Sequence, residues 1–303
     1  MSRTSDLLLT ALAPCIWGST YIVTTELLPQ GYPITVAMIR ALPAGLLLLL
    51  LVRQWPKGIW LLRSFILGAL NFSIFQTLLF VAAYRLPGGI AATLGAIQPL
   101  IVIFLASALL GSAVRLTSIL AALAGMAGVA LLVLRNEAAL DPLGIAAALG
   151  GAVSMALGVV LTRKWQPPVS PLGFAAWQLT AGGILLLPVM LWFEPALPVP
   201  TLPNAMGFTY LVLFTAITYI LWFRGVARLE PAAVSSLGFL SPLTAVLLGW
   251  GILGQALSPM QISGVAVVIA SVWLSQRASR SGARSSLGSQ QQVAPRESVS
   301  SST

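Results

Sequence analysis

Residues 34–52 read ITVAMIRALPAGLLLLLLV, and Arg40 is the only charged side chain among these 19 residues. A helix needs about 20 mostly apolar residues to cross the hydrocarbon core of a bilayer. The stretch lacks the two-residue alternation of apolar and polar side chains that marks a strand of a membrane barrel. It therefore predicts a membrane-spanning α-helix.

The chain contains ten such apolar stretches, separated by short connectors rich in Pro and Gly. The first stretch lacks a cleavage site of small residues, so we interpret it as a permanent span rather than a signal peptide. The sequence thus predicts an all-α membrane protein of ten transmembrane helices. The predicted spans are Leu7–Leu28, Ile34–Val52, Phe65–Tyr84, Ala91–Leu110, Leu116–Leu134, Leu143–Arg163, Leu172–Phe193, Ala205–Ala227, Ala232–Leu253 and Met260–Ser275.

The composition of the 303 residues supports this interpretation and excludes several kinds of chemistry. Hydrophobic residues make up 58% of the chain and charged residues 8%, whereas a soluble domain carries about 25% charged residues. Cys15 is the sole cysteine and there is no histidine, which excludes an intrachain disulfide, a Cys/His zinc cluster and Ser-His-Asp catalysis. We expect no metal, no cofactor and no enzymatic activity.

The basic residues indicate the orientation in the membrane. The chain has 16 Lys and Arg against 7 Asp and Glu, a net charge of +9. If the N-terminus is cytoplasmic, 13 of the 16 fall on the cytoplasmic side, Arg85 and Arg135 fall outside, and Arg40 lies inside the second span. Cytoplasmic loops accumulate Lys and Arg, so both termini are predicted to be cytoplasmic. The basic excess thus marks orientation, and no nucleic-acid partner is expected.

The two halves of the chain resemble each other. Residues 85–111, RLPGGIAATLGAIQPLIVIFLASALLG, align without a gap with residues 228–254, RLEPAAVSSLGFLSPLTAVLLGWGILG, and nine of 27 positions are identical. Arg40 and the glycines and leucines after it correspond to Gln178 and the similar run that follows. We predict two five-helix repeats, 1–138 and 139–275, followed by a basic, Ser-rich, disordered cytoplasmic tail over 276–303.

Five spans per repeat is an odd number, so the second repeat must enter the membrane in the opposite orientation. Inverted-topology repeats are typical of secondary transporters, whose substrate site lies between the repeats near the middle of the membrane. The sequence therefore predicts a transporter that works by alternating access through a central cavity.

These residues resemble the EamA-type members of the drug/metabolite transporter superfamily. The likeness covers about residues 5–275 and rests on the ten-span plan, on PCIWGST at 14–20, on Arg40 and on the Pro-Leu pairs at 99–100 and 242–243. Within the superfamily the chain is most similar to the YddG-type aromatic amino acid exporters. The resemblance implies a multi-pass protein of the bacterial inner membrane. Leu-Gly-Glu, common in the family after spans four and nine, is replaced by Leu-Gly-Ser at 110–112 and Leu-Gly-Gln at 253–255.

Polar and aromatic side chains inside the spans are the candidate substrate-binding residues, because they suit a cavity that stacks a ring and hydrogen-bonds an amino acid. Several follow the helical spacing of a single face. The candidates are Trp17, Thr20, Tyr21, Thr24, Asn71, Phe75, Gln76, Gln98, Trp177, Gln178, Tyr219, Trp222 and Phe239. The alternative for each polar residue is packing between helices.

Three other intramembrane residues carry separate hypotheses. Pro99 and Pro242 occupy equivalent places in spans four and nine, where each removes a backbone hydrogen bond and is a candidate hinge for gating. Arg40 either pairs with a substrate carboxylate or has a structural role, extending to the headgroups or bonding backbone carbonyls. Its presence across the family favours the structural role.

The lack of acidic residues near the span centres also restricts the mechanism. No Asp or Glu lies near the centre of a predicted span, although proton and cation coupling usually relies on such residues. We therefore predict facilitative export of small neutral or zwitterionic metabolites, with aromatic amino acids favoured. The alternatives are export of other amphipathic metabolites or drugs, and a membrane-embedded lipid-modifying enzyme. The expected partners are the lipid bilayer and the small-molecule substrate, with the protein a monomer or homodimer.

Overall fold

The computed structural model describes residues 3–86, 88–133 and 141–293, and these residues form helices and loops without a β-strand. Ten spans among them are long and apolar enough to cross a membrane, which confirms the predicted all-helical, ten-span architecture. Arg135 and residues 294–303 lie outside the described residues. The helices are Arg3–Leu27 (span 1), Pro33–Val52 (span 2), Ile59–Gly68 and Ile74–Arg85 around a π-helical turn at Ala69–Ser73 (span 3), Gly88–Gly95 and Gln98–Leu110 (span 4), Leu116–Val133 (span 5), Pro142–Trp165 (span 6), Pro171–Phe193 (span 7), Leu202–Arg228 (span 8), Pro231–Leu237 and Leu240–Leu253 (span 9), and Pro259–Val293 (span 10).

Side chains and glycines at the helix ends explain several of these boundaries. Asp141 accepts a hydrogen bond from the backbone N–H of Gly144 at 2.9 Å and so caps span 6. Thr201 and Asn204 form a reciprocal capping box at the start of span 8. Gly111 and Gly254 end spans 4 and 9 with φ of +68° and +66°, a left-handed conformation that favours glycine. The two glycines are equivalent in the repeat alignment, so both copies of the Leu-Gly motif end a helix in the same way.

The observed helix ends differ from the predicted ones by several residues in places, most of all at the start of span 3 and the end of span 10. Span 3 begins at Ile59 rather than near Phe65, because Arg63 stays in the helix by covering the rings of Trp60 and Trp165. Span 10 is helical beyond residue 275, where the disordered tail was predicted to begin. Gln276 is buried and donates to the carbonyl of Ala233 at 2.8 Å, so the first residues of the predicted tail pack on span 9.

The packing of the spans follows a regular scheme. The principal partners are spans 2 with 7, 5 with 10, 1 with 8, 3 with 6, 1 with 9, and 4 with 6. Replacing each span by its counterpart in the other half of the chain (span 1 by span 6, span 2 by span 7, and so on) turns every pair in this list into itself or into another pair in the list. Spans 1 and 8, for example, become spans 6 and 3. We call the end of the bundle where Arg3 contacts Ser279 the termini end, and the opposite end, where Arg85 contacts Asp141, the far end.

Glycines allow the closest of these approaches. A Cβ atom on Gly45 of span 2 would overlap the backbone of Thr180 in span 7. A Cβ on Gly264 of span 10 would lie 2.9 Å from the backbone nitrogen of Leu132 in span 5, closer than carbon and nitrogen atoms can pack. Small residues are the usual means of joining helices in lipid, where no hydrophobic force drives them together. Spans 5 and 10 therefore pack closely through glycine.

Spans 4 and 9 are both interrupted, at places that the repeat alignment makes equivalent. The helix of span 4 breaks between Gly95 and Gln98, and that of span 9 breaks between Leu237 and Leu240. Pro99 and Pro242 then lie in the first turn of the helices that follow, where a missing backbone N–H costs nothing. Each span is therefore a pair of short helices joined in the middle of the bundle.

Candidate functional site

A cavity of about 450 Å³ lies in the centre of the bundle, bordered mainly by spans 1, 2, 3, 4, 6, 8 and 9. It extends from Thr25 and Pro33, at the far end, to Trp222 and Ser235, deeper in the bundle. Binding pockets for small molecules are typically 300–1,000 Å³ with largely apolar walls and a few polar groups. The cavity has the size and lining of such a pocket.

Most of the predicted binding residues line this cavity, and they come from five different spans. The four predicted residues of span 1 lie on one face of the helix, and all four border the cavity. The predicted residues that line it are Trp17, Thr20, Tyr21, Thr24, Phe75, Gln76, Gln98, Tyr219, Trp222 and Phe239, together with the predicted hinges Pro99 and Pro242.

Aromatic rings form the deep part of the cavity. The ring of Trp17 lies 5.1 Å from the rings of both Tyr219 and Trp222, centre to centre and tilted. Phe72 supports Tyr219 from behind at 4.6 Å. Trp17 Nε1 donates to Thr218 Oγ1 at 2.9 Å, which holds the indole in one orientation. Rings at such distances are favourably placed against one another, and together they offer an apolar, aromatic surface to a ligand.

Two hydrogen-bond donors at the cavity have no partner in the part of the chain that the structure describes. They are Nε2 of Gln98 and Nε1 of Trp222. A buried donor that lacks a partner costs about 1–3 kcal/mol, so a ligand that accepts from these groups would gain that energy. The two donors come from spans 4 and 8, on different sides of the cavity.

Arg40 is the charged residue of the cavity lining. Its guanidinium makes no hydrogen bond or ion pair with the described residues, and the phenols of Tyr21 and Tyr219 line the same cavity. No Asp or Glu occurs among the described residues that border the cavity. The sequence favoured a structural role for Arg40, whereas the structure places it beside the candidate binding residues.

Three predicted binding residues lie elsewhere. Asn71 and Gln178 are buried between spans 3 and 7, where Asn71 Nδ2 donates to Gln178 Oε1 at 2.7 Å. Trp177 Nε1 donates to the carbonyl of Gln54 at 2.6 Å, and its ring packs against Trp60. These side chains point into helix contacts because Gly158 leaves room for Asn71 on the side away from the cavity. A polar residue in a span therefore does not by itself indicate the cavity.

Other lining residues were not predicted, and the repeat offers a signal for one of them. Ser241 occupies the position equivalent to Gln98, directly before the proline of span 9, and both border the cavity. Comparing the repeats would have selected it. Span 6 lines the cavity with Ala148, Gly151, Ala152 and Met155, which carry no polar signal in the sequence.

Charged residues tie the spans together at the termini end. Asp6 of span 1 accepts from Arg224 Nη2 at 2.8 Å and from Arg228 Nη1 at 3.2 Å, both in span 8. Arg115, before span 5, pairs with Glu230, before span 9, at 3.0 Å. These contacts join the spans between the termini end and the deep part of the cavity at Trp222 and Ser235, on the side of the cavity opposite Thr25.

The far end carries a matching pair outside the membrane-spanning segments. Asp141, before span 6, contacts Arg85, at the end of span 3, at 3.2 Å. The hydrogen bond from the Gly144 N–H, and then the Arg85 guanidinium, hold the pKa of the Asp141 carboxyl below its usual range. At neutral pH this carboxylate is ionised, so it both caps span 6 and joins it to span 3.

Comparison with known proteins identifies the family. The model of the EamA-like transporter family matches the chain twice, over residues 4–134 and 142–276. The chain belongs to the EamA-like transporter family. It is therefore a multi-pass transporter of the bacterial inner membrane rather than an enzyme, and the hypothesis of a lipid-modifying enzyme is wrong.

Individual relatives agree with this assignment. The chain is 46% identical to Protein PecM of Dickeya dadantii over 87% of this chain and 90% of that protein. It is 32% identical to the inner membrane transporter YedA of Escherichia coli over 86% of each chain. A protein of Streptantibioticus cattleyicolor named "Probable terminal-alkyne amino-acid exporter" is 26% identical over 69% of this chain and 71% of its own.

A solved crystal structure has the same fold. It superposes with a TM-score of 0.79, at 20% sequence identity, and covers 91% of this chain and 99% of the other. At that identity the likeness concerns the fold alone.

Proposed function

We propose that this EamA-family transporter exports small neutral or zwitterionic metabolites, with aromatic amino acids favoured, by alternating access through the central cavity. The observation that carries the proposal is the cavity itself. It combines the tilted rings of Trp17, Tyr219 and Trp222 with amide and hydroxyl groups on the opposite spans. Such a lining stacks an aromatic ring and leaves polar groups for the other end of the molecule.

The five-helix repeats are proposed to be inverted, with both termini in the cytoplasm. Three observations support this: two consecutive family matches of similar length, the exchange of helix pairs when each span is replaced by its counterpart in the other half of the chain, and the ion pairs at the two ends. Asp6, early in span 1, pairs with Arg228 at the end of span 8. Asp141, just before span 6, pairs with Arg85 at the end of span 3. These pairs correspond under the exchange but lie at opposite ends.

Alternating access is supported by the difference between the ends of the cavity. The lining reaches the far end at Thr25 and Pro33, while the ion pairs of Asp6 and Glu230 join the spans at the termini end. With cytoplasmic termini, this arrangement is a state open to the outside. Pro99 and Pro242, beside the breaks in spans 4 and 9, are the proposed hinges.

Facilitative transport is proposed because the described cavity lining has no carboxylate to carry a proton. Purified protein in proteoliposomes would test this, with a proton gradient imposed and no substrate gradient. We expect no net substrate movement. Net accumulation of substrate on one side of the membrane, where no substrate gradient was imposed, would refute the facilitative mechanism.

The favoured substrate class rests on the aromatic lining, on the similarity to YddG-type exporters, and on the amino-acid exporter among the relatives. The test is growth of expressing cells against toxic analogues of aromatic and aliphatic amino acids. We expect resistance to the aromatic analogues, reduced by Trp17→Ala and by Gln76→Ala. A matched control is Trp192→Ala, because Trp192 lies outside the cavity with 84% of its surface exposed.

The outcomes separate the competing substrate classes. Resistance unchanged by either cavity substitution would refute the assignment of the site. Resistance to amphipathic drugs without resistance to any amino acid analogue would favour the alternative of a drug or metabolite exporter. The apolar part of the cavity lining is consistent with that alternative. Whether the transporter is a monomer or a homodimer stays a prediction.

A further inference from the structure

The cavity holds a positive charge and no counter-charge from the described lining. Arg40 lies in span 2, seven residues after Pro33, roughly 10 Å along the helix from its far end at 1.5 Å per residue. An ionic group in a low-dielectric site is unfavourable unless it is paired. The described cavity lining has no Asp or Glu that could pair with it.

Two phenols share the cavity with Arg40 and add to its hydrogen-bonding capacity. Tyr21 and Tyr219 line the cavity together with Arg40. The hydroxyl of Tyr219 makes no hydrogen bond within the described part of the chain, so it can donate to a ligand. A guanidinium carries donors and no acceptor, and a phenol can donate as well, so the three side chains together are complementary to an anion.

We infer that Arg40, assisted by Tyr21 and Tyr219, binds a carboxylate, so that the substrates are compounds with one carboxylate on an apolar or aromatic body. Arg presents a planar fork of N–H donors that matches a carboxylate. The rings of Trp17 and Trp222, in the same cavity, are available to the rest of the molecule. The inference rests on the proposed function and changes its substrate class: the ammonium group of an amino acid becomes dispensable, so aromatic monocarboxylate anions are substrates as well as zwitterionic amino acids.

The same arrangement disfavours cations. An ammonium group entering the cavity would meet the charge of Arg40 without a carboxylate from the described lining to offset it. Like charges in a poorly screened site repel strongly. An aromatic amine should therefore bind much more weakly than the corresponding acid, even though both fill the aromatic part of the cavity equally well.

Four ligands with the same phenylethyl body test the inference. They are 3-phenylpropanoate, L-phenylalanine, 3-phenylpropanamide and phenethylamine, titrated into the purified, detergent-solubilised protein by calorimetry. We expect the two carboxylates to bind about 10- to 100-fold more tightly than the amide or the amine, the range for one charge-assisted hydrogen-bonded pair. Equal binding of all four, or no binding of either carboxylate, would overturn the inference without any substitution.

Variants separate a binding role from a structural role. Arg40→Gln should abolish the preference for carboxylates while leaving the weak binding of the amide unchanged, and Arg40→Lys should keep part of the preference. If Arg40 only supports the fold, Arg40→Gln weakens all four ligands alike. The matched control is Arg53→Gln at the other end of the same helix, an exposed residue whose loss should change none of the four affinities.

The proposed function can fail separately from this inference. Uptake of labelled phenylalanine into proteoliposomes measures transport, whereas calorimetry measures recognition. Tight binding of 3-phenylpropanoate without phenylalanine transport would leave the carboxylate site standing and refute aromatic amino acid export. If the Arg40→Gln variant transported phenylalanine at the wild-type rate and affinity, aromatic amino acid export would stand and the carboxylate site would be refuted.

Discussion

Amide side chains inside the spans take two different roles that are decided by the direction in which each residue points. Gln76 and Gln98 face the cavity. Asn71 and Gln178 bond to each other between spans 3 and 7, and each also has an amide atom without a partner, Asn71 Oδ1 and Gln178 Nε2. The buried amide pair therefore stabilises a helix contact and does not touch the candidate site.

Substitution of one member of this pair should reduce stability. Gln178→Leu leaves Asn71 buried without a partner, and we expect a loss of about 1–3 kcal/mol. Replacing both, Asn71→Leu with Gln178→Leu, should cost less than the sum of the single changes, because no polar group is left unpaired. Thermal unfolding in detergent measures both effects.

The control for the amide pair is Gln255→Leu, an exposed residue whose replacement should leave the unfolding temperature nearly unchanged. If Gln178→Leu kept full stability but lost substrate binding, the assignment of Gln178 to packing would be wrong.

At the scale of elements, the interruption of spans 4 and 9 is not explained by proline alone. Pro188 lies inside span 7, yet that helix runs unbroken from Pro171 to Phe193. In spans 4 and 9 the break comes two to four residues before the proline, where three-residue turns such as that closed by the hydrogen bond from Phe239 N to Ser236 O, at 3.2 Å, replace the helical pattern. Backbone that departs from the helix beside a cavity is typical of transporter binding sites.

Removing these prolines should slow transport more than it weakens binding. With Pro99→Ala and Pro242→Ala combined, each helix regains a backbone N–H and can continue through the break, so opening and closing become harder. We expect the rate of counterflow in proteoliposomes to fall several-fold, with ligand affinity changed by less than about 3-fold.

Pro188→Ala provides the matched control, because this proline accompanies no break, and it should leave the rate unchanged. A double variant of Pro99 and Pro242 that transported at the wild-type rate would show that the breaks are not hinges.

On the scale of the whole molecule, the termini end has more ion pairs than the far end. Asp6–Arg228 joins spans 1 and 8 as Asp141–Arg85 joins the corresponding spans 6 and 3, but Asp6–Arg224 and Arg115–Glu230 have no equivalent at the far end of the described structure. The repeat alignment places Ser258 and Pro87 at the positions of Arg115 and Glu230, and neither side chain can form an ion pair. We expect the Arg115–Glu230 pair to favour the state that is closed at the termini end.

Removing this pair should shift the protein toward the opposite state. In Glu230→Gln the closed termini end loses a partly exposed ion pair, worth up to about 1 kcal/mol, which corresponds to a change of about 2- to 5-fold in the ratio of the two states. The measurement is the labelling rate of Thr25→Cys, in a Cys15→Ala background, by a membrane-impermeant maleimide applied from the far end. We expect the rate to fall.

Lys57→Gln is the control for this experiment, because Lys57 is an exposed charge at the termini end. Its labelling rate should equal that of the parent. A faster or unchanged rate in Glu230→Gln would contradict the role of the Arg115–Glu230 pair.

The sequence predicts features that depend on neighbouring residues better than features that depend on contacts between distant parts of the chain. Trp17, Thr20, Tyr21 and Thr24 of span 1 all border the cavity because they share one helix face, a local property. Arg40 and Gln178 show where such reasoning ends. They are equivalent in the repeats, yet Arg40 lines the cavity and Gln178 is fully buried on the opposite partner helix. Their environments depend on neighbours far away in the sequence.

The sequence by itself determined the membrane-spanning helices and the presence of two similar halves. Each span satisfies its own backbone hydrogen bonds and has enough apolar surface to enter lipid without help from the others. Only the tertiary structure decided which side chains border the cavity and which fill helix contacts. Apart from span 1, most spans are apolar on nearly all sides and carry no polar stripe that separates a face toward lipid from a face toward protein. Close approach at glycines such as Gly45 and Gly158 decides which faces meet.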